Sequence, residues 1–248
     1  MQKFLPNATI AFVLFLLFSC SKEEAGSCFQ SNGKVVKETR VLAGFDSIWL
    51  DRRLTLILVP DTLNYAEVES GEHLLGLIET RQSGKTIYLK NNNRCNWLRS
   101  YDIPVNIFLH HTGLRHIYNK GTGKICSTDT LKSDTITLEF KDASTEVNLL
   151  IKNKKLEIIQ HTGASDVIIA GSTNELAVYM ASLGWGDYRS LWAKRVYVEN
   201  KSATDCYVSA KEEYKFKIKA AGNIFYRPSA PFQMLEYSGS GGLIQLSD

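Results

Sequence analysis

A chain of 248 residues that is 44% hydrophobic and 22% charged can bury a sizeable core, and this composition excludes disorder across the whole length. Its 29 basic and 26 acidic residues are interspersed and leave a net charge of +3. That excludes the strong basic excess of a protein that grips phosphate backbones, so no nucleic-acid partner is expected.

The first element is a leader. Lys3 precedes an unbroken apolar run over 10–18, far short of the roughly 20 residues that cross a bilayer as a helix, so it reads as a signal-peptide core outside the fold. The sequence Leu17-Phe18-Ser19-Cys20 resembles the lipobox of bacterial lipoproteins, which implies a signal peptide over 1–19, a lipidated Cys20 and a tether over 20–33. An ordinary secretory signal is the alternative. Ser21-Lys22-Glu23-Glu24 resembles the charged export tag of surface lipoproteins in the Bacteroidetes. The expected location is the outer membrane, held by more than one acyl chain and exposed at the surface, with a periplasm-facing anchor as the alternative.

From Val35 onward short alternating runs recur, at 48–50, 54–59, 86–89, 105–109, 135–140 and 147–151, and they read as strands of about five residues bounded by turn chemistry. The class is all-β. A pentad of small and polar residues, usually closed by an apolar one, then repeats: GTGKI at 121, ASTEV at 143, GASDV at 163, GWGDY at 184, SATDC at 202, AAGNI at 220 and GSGGL at 239. The copies are 18 to 22 residues apart. That spacing matches the circumference of a small parallel β-solenoid whose rungs stack at about 4.8 Å, with the pentads as corners. An antiparallel β-sandwich, with two strands per repeat, is the alternative. The region 34–248 reads as one domain, interrupted by an irregular loop at 91–102. Its N-terminal end is expected to be covered by 34–50, its Gly-rich tail at 238–242 is a poor edge for further pairing, and a monomer is expected.

The stretch 41–50 (VLAGFDSIWL), Gly71-Glu72-His73-Leu74-Leu75, the run 85–89 (KTIYL), Gly121-Thr122-Gly123 and the later Gly163 and Gly222 corners together resemble the putative auto-transporter adhesin, head GIN domain family. The segment 94–101 (RCNWLRSY) is similar to a subgroup of such lipoproteins. The resemblance covers roughly 34–246 and implies a right-handed β-helix-like fold in a cell-envelope protein. It implies no catalytic residues and no cofactor.

Four cysteines remain after Cys20. In a solenoid Cys126 and Cys206 lie about four rungs apart, near 19 Å, too far for a disulfide. Cys28 and Cys95, each beside an irregular segment, are the candidate bridge, with free thiols as the alternative. No cysteine pair has metal-ligand spacing, and adjacent His110 and His111 point to opposite faces of a strand, with His116 nearby, so no metal site is expected.

The fourth pentad position carries Glu146, Asp166, Asp187 and Asp205 on consecutive copies. Stacked at about 5 Å they would match the carboxylate separation of a retaining glycosidase, so a polysaccharide-acting enzyme is physically admissible. The plainer reading is turn chemistry, in which Asp bonds the local backbone; calcium bridging is a third. An aromatic segment holds Tyr179, Trp185, Tyr188, Trp192 and Tyr197 with Arg189, Lys194 and Arg195 between them, which suits either a binding surface or half-buried sheet positions. Trp97, Arg99 and Tyr101 on the irregular loop form a second candidate patch. The leading expectation is a non-enzymatic, lipid-anchored adhesin or binding module for a protein or glycan. The enzyme, and a structural or sensory envelope module, are its rivals.

Overall fold

The computed structural model describes residues 31–93 and 103–247. Cys20, Cys28, Cys95, Trp97, Arg99 and Tyr101 lie outside the described residues.

Alternating side chains settle the framework. Along Ser144–Gln160 the even-numbered positions of 144–152 face solvent while Val147, Leu149, Ile151, Leu156 and Ile158 are buried. Each fully buried aliphatic side chain contributes about 1.5–3 kcal/mol, and because the pattern repeats every coil, equivalent residues stack. The nineteen strands among the described residues join one hydrogen-bonded system, in a solenoid of about six turns. Neighbours about twenty positions apart pair in parallel within one sheet, which replaces the sandwich alternative.

From Thr122 onward the coils follow chain order and present three faces. On the first, Val147 pairs with Val167, Val167 with Gly186, Gly186 with Cys206, Cys206 with Ile224 and Ile224 with Leu243. On the second, Leu138, Ile158, Val178, Val198 and Phe216 stack. The third is shorter and carries Leu131, Ile151, Gly171 and Leu191. A continuous core runs from Phe45 to Ile224. Corners turn on small residues: Gly163 has φ +99, and a Cβ there would collide with the backbone of Ala143 on the preceding coil.

The N-terminal part departs from chain order. Ser47–Asp51 lies between Thr86–Asn91 and His116–Asn119, and Arg53–Pro60 lies between Asn106–His111 and Thr122–Ser127. A later stretch of chain therefore sits outside an earlier one. Antiparallel strands close this end: Tyr65–Gly71 pairs with Asn106–His111 and with Val35–Val41, while Ile78–Ser83 pairs with Thr86–Asn91. The expected cover over 34–50 is corrected accordingly. Val35–Val41 is an edge, but Ser47–Asp51 is an interior rung, because its alternating Ile48 and Leu50 are buried between two parallel neighbours. At the far end Phe232–Tyr237 carries a register shift against Phe216 and Lys217, an irregularity that blunts edge pairing.

Candidate functional site

The acid column is shorter than the pentads suggest. Glu146 does pair with Asp166, but Val167 pairs with Gly186, so the position above Asp166 belongs to Trp185, while Asp187 pairs with Ile168 and Tyr207. Asp205 lies one position before Cys206 and so shares the column of Trp185. The four carboxylates do not stack consecutively: an indole stands between Asp166 and Asp205. The oxygens of Asp166 and Asp205 accept from the adjacent coil. The Trp185 N–H donates to Asp166 Oδ1 at 3.3 Å, Asn223 donates its N–H and its Nδ2 to Asp205 Oδ1 at 3.0 Å each, and Gly242 N–H donates to Asn223 Oδ1 at 2.8 Å.

Glu146 pairs with Lys124 at 2.8 Å. Asp187 accepts Arg189 Nε at 2.9 Å and Arg189 Nη2 at 2.6 Å. Burial works against the Asp187 carboxylate, but these donors and the Arg189 N–H outweigh it and hold its pKa below the ordinary value. Among the described residues, every carboxyl with a resolved shift (Asp61, Glu175, Asp187, Glu199 and Glu236) is shifted downward. At Asp187 this direction is the opposite of the one a glycosidase general acid needs.

The aromatic segment is spread over three faces. Tyr179 and Tyr197 sit on the second, where Lys201 lies over the Tyr179 ring at 5.2 Å and the Tyr197 hydroxyl donates to Glu199 at 2.9 Å. Trp185 is half-buried on the first. Tyr188 is fully buried, which removes it from the expected binding surface. The reason is local: Gly186, two residues earlier, leaves the space that the Tyr188 ring occupies, and a Cβ on Gly186 would meet that ring. Burial raises the Tyr188 pKa well above the ordinary value.

What remains exposed is Trp192, 63% accessible on the third face. Tyr188 N–H donates to Tyr207 O at 2.8 Å and Leu191 N–H to Tyr188 O at 3.1 Å, so the turn that presents Trp192 is anchored from beneath. Lys211 Nζ lies 4.9 Å from the indole centroid. Together with Arg189, Ser209 and Arg227 these side chains border an open groove of about 500 Å³ that no carboxylate lines. A second groove on the other side of Arg189 is lined by Trp185, Asp205 and Tyr207, and Arg189 sits over the Tyr207 ring at 4.8 Å. Trp185 and Trp192 thus flank one arginine around a single corner. An indole face beside cations can take the apolar face of a sugar ring while the cations take its anionic or hydroxyl substituents.

Among the described residues no group of His, Cys, Asp and Glu could hold a metal ion. His110 Nδ1 lies 2.8 Å from Asp61 and holds that carboxyl down at about 2. His116 and His161 bracket Glu139 at 3.2 Å each. Cys126 and Cys206 are free thiols, and burial raises both pKa values, so neither is poised as a nucleophile.

Sequence reasoning missed the contributions of Lys211 and Arg227 to the groove. The register puts Ser209 beside Trp192, because Ala193 pairs with Ala210, and Lys211 follows two positions later at the register shift between Ala193 and Arg195, so the repeat spacing alone did not place it. It also missed the stack of Trp49 on Tyr118, with ring centroids 3.9 Å apart and Tyr88 beyond at 6.1 Å. Those rings stack on one another on an outward face, with Trp49 36% exposed.

The model of the family described as "Putative auto-transporter adhesin, head GIN domain" matches residues 44–230. No curated protein matches the chain. A solved "putative adhesin" from Bacteroides fragilis NCTC 9343 is 19% identical, with 86% of this chain and 97% of that chain covered and a TM-score of 0.76. A "putative adhesin" from Parabacteroides merdae ATCC 43184 is 13% identical, covering 88% and 98%, with a TM-score of 0.64. A "putative lipid binding protein" from Parabacteroides distasonis ATCC 8503 is 14% identical, covering 88% and 98%, with a TM-score of 0.62. At these identities the likeness is one of fold.

Proposed function

This chain belongs to the head GIN domain family of putative auto-transporter adhesins, and from that premise we propose that it is a non-enzymatic binding module of the bacterial cell envelope. A lipid on Cys20 would tether it to the outer membrane, with the solenoid displayed outward to a glycan or protein ligand. The observation that carries this reading is the Trp192 indole, 63% exposed at the rim of a groove bordered by Lys211 and Arg227, on a turn pinned to the coil beneath it. Large exposed aromatics on a rigid scaffold are the side chains that dominate recognition energy. The acids that a hydrolase would use are engaged with backbone amides, Lys124 or Arg189 instead.

The test pairs a binding screen with an activity screen. The purified protein is probed against arrayed envelope and host-surface glycans and proteins, in native form and as Trp192→Ala, and incubated with the same polysaccharides. Binding that falls about ten-fold in Trp192→Ala, equivalent to ~1.4 kcal/mol, with all polymers left intact, is the expected outcome. Depolymerisation that disappears in Asp166→Asn or Asp187→Asn would replace this reading with the enzymatic one.

A further inference from the structure

Building on the reading of the chain as a surface binder, we propose that its third face carries a linear site for an anionic glycan, one whose repeating sugars bear carboxylate or sulfate groups, laid parallel to the solenoid axis. The register places Lys132 beside Lys152, Lys152 beside Ser172 and Ser172 beside Trp192, so four coils contribute one outward column. At about 4.8 Å per rung the column is roughly 14 Å long; past the indole the register continues to Ser209, and Lys211 and Arg227 border the same groove.

The charges on this column are arranged against the protein's own interest. Lys132 and Lys152 are both exposed and lie directly opposite one another in adjacent strands, where like charges are destabilising. Neither makes an ion pair among the described residues, although nearby cations do: Lys154 pairs with Asp134 at 3.0 Å, Arg189 with Asp187 at 2.6 Å and Arg195 with Glu175 at 2.7 Å. The acids of this region are taken by neighbours, which leaves the two stacked ammonium groups for an external anion. A polymer with an anion on each repeat can bridge them, and its attraction adds over successive sites.

Trp192 supplies the second half of the recognition. Its neighbour in the column is Ser172, too small to cover an indole, and on another side stands the Lys211 ammonium. A pyranose ring can lie against the indole with its acidic substituent towards Lys211. A bilayer surface fits less well: the column is one side chain wide, Trp192 is its single large apolar member, and Ser133 and Asn153 fill the positions beside its two lysines. The site is thus shaped for a chain and lacks the broad apolar face of a membrane-docking surface.

The experiment measures affinity of the full-length lipoprotein, in detergent micelles, for fluorescent oligogalacturonate, a heparin-derived oligosaccharide and a neutral dextran oligosaccharide of equal length, over a series of salt concentrations. Phosphatidylglycerol and phosphatidylcholine vesicles form a parallel arm. At least one acidic oligosaccharide should bind and dextran should not, and the affinity should fall with salt. Lys132→Gln with Lys152→Gln should weaken binding ten-fold or more and reduce the salt slope by about two, one per removed cation. Trp192→Ala should weaken it about ten-fold with the slope unchanged, and Lys120→Gln, at a different corner, should leave it as it was. Unfolding midpoints of these exposed-site variants check that each remains folded. Equal binding of dextran, insensitivity to the lysine pair, or binding to phosphatidylglycerol vesicles alone with the same variant dependence would overturn the inference. Should a neutral glycan or a protein bind with a loss in Trp192→Ala, the anionic site fails while the broader binding role stands; if no surface ligand is captured at all, the broader role fails with it.

Discussion

The two halves of the solenoid solve the same stacking problem with contacts of very different reach. In the coils after Thr122, side-chain hydrogen bonds at the corners join residues one turn apart: Asp205 with Asn223 across 18 positions, Asp166 with Trp185 and Asn223 with Gly242 across 19, and Thr162 with Asp142 across 20. In the N-terminal half the corresponding bonds span 37 positions between Asn106 and Glu69, 38 between Arg40 and Ile78 and between Asn91 and Arg53, and 49 between His110 and Asp61. Each doubling of a closed loop costs only ~0.6 kcal/mol of chain entropy, so the longer reach is thermodynamically tolerable, but the contacts cannot form one coil at a time. The sequential half behaves as a repeat array in which each coil leans on its neighbour; the N-terminal half is a lid whose parts depend on one another. The proposed glycan column lies on the sequential half, where a fixed rung spacing can act as a ruler.

The largest expected effect tests how tightly that ruler is built. Gly163 has φ +99 and no room for a Cβ against the Ala143 backbone, so Gly163→Ala should cost about 3 kcal/mol or more, through backbone strain and displacement of the adjoining coil. Gly113, in the N-terminal half, has no atom within 4 Å of the place a Cβ would take; Gly113→Ala should stay within roughly 0.5 kcal/mol. Urea unfolding midpoints of the two variants measure the contrast. Equal losses would mean that the coils do not transmit close packing from rung to rung.

Acid should separate the halves in the opposite sense. His111 in the N-terminal half is 4% exposed with neither ring nitrogen bonded, and burial, aided by the nearby His110, pushes its pKa down to about 4 from 6.5. The unfolded chain therefore binds a proton that the folded one refuses, and stability is lost as pH falls from about 6.5 to 4, on the order of 3 kcal/mol in all. Glu199 in the coil half is held at about 2 against an ordinary 4.5; burial opposes its charge, but Tyr197, Lys201 and Lys219 outweigh that, so its contribution is intact above pH 4.5 and is lost only as pH falls from there towards 2. Between pH 6.5 and 5, amide exchange should accelerate in Asn106–His111 and its neighbours while Ser144–Gln160 is unaffected, and His111→Leu should abolish the difference. Uniform acceleration would show that the two halves open as one unit.

Particular residues show why the sequence was legible in one half and opaque in the other. Buried Leu156, Leu176 and Val196 recur with small corner residues between them, so a solenoid of about twenty residues per coil can be read from alternation and turn chemistry alone. The misplacement of Asp187 shows the limit. Side chains alternate with a period of two, so a slip of one would have thrown Gly186 outward and exposed the error, whereas a slip of two exchanges Asp187 for Trp185, both outward, and leaves the pattern unchanged. The buried Tyr188 had a signal in Gly186, but it becomes readable only when both are known to share a corner. In the N-terminal half Ile48 and Leu50 alternate as well as any coil. Nothing local tells that they lie between 86–91 and 116–119, because that order is fixed by closure of the whole lid.

The smallest expected effect concerns how the corners of the sequential half are tied. Asp205 Oδ1 accepts from the Asn223 N–H and from Asn223 Nδ2, both at 3.0 Å, so its role there is that of an acceptor facing the next coil. Asp205→Asn keeps a carbonyl oxygen in that place and should change stability by less than about 0.5 kcal/mol, while Asp205→Ala leaves the Asn223 amides without their partner and should cost about 1–2 kcal/mol. The ordering of the two variants in thermal unfolding is the decisive quantity. Were Asp205→Asn as damaging as Asp205→Ala, the negative charge itself would be needed, and the corner would have to be understood as an electrostatic or ion-binding position, with one-turn hydrogen bonds no longer the feature that distinguishes the sequential coils from the lid.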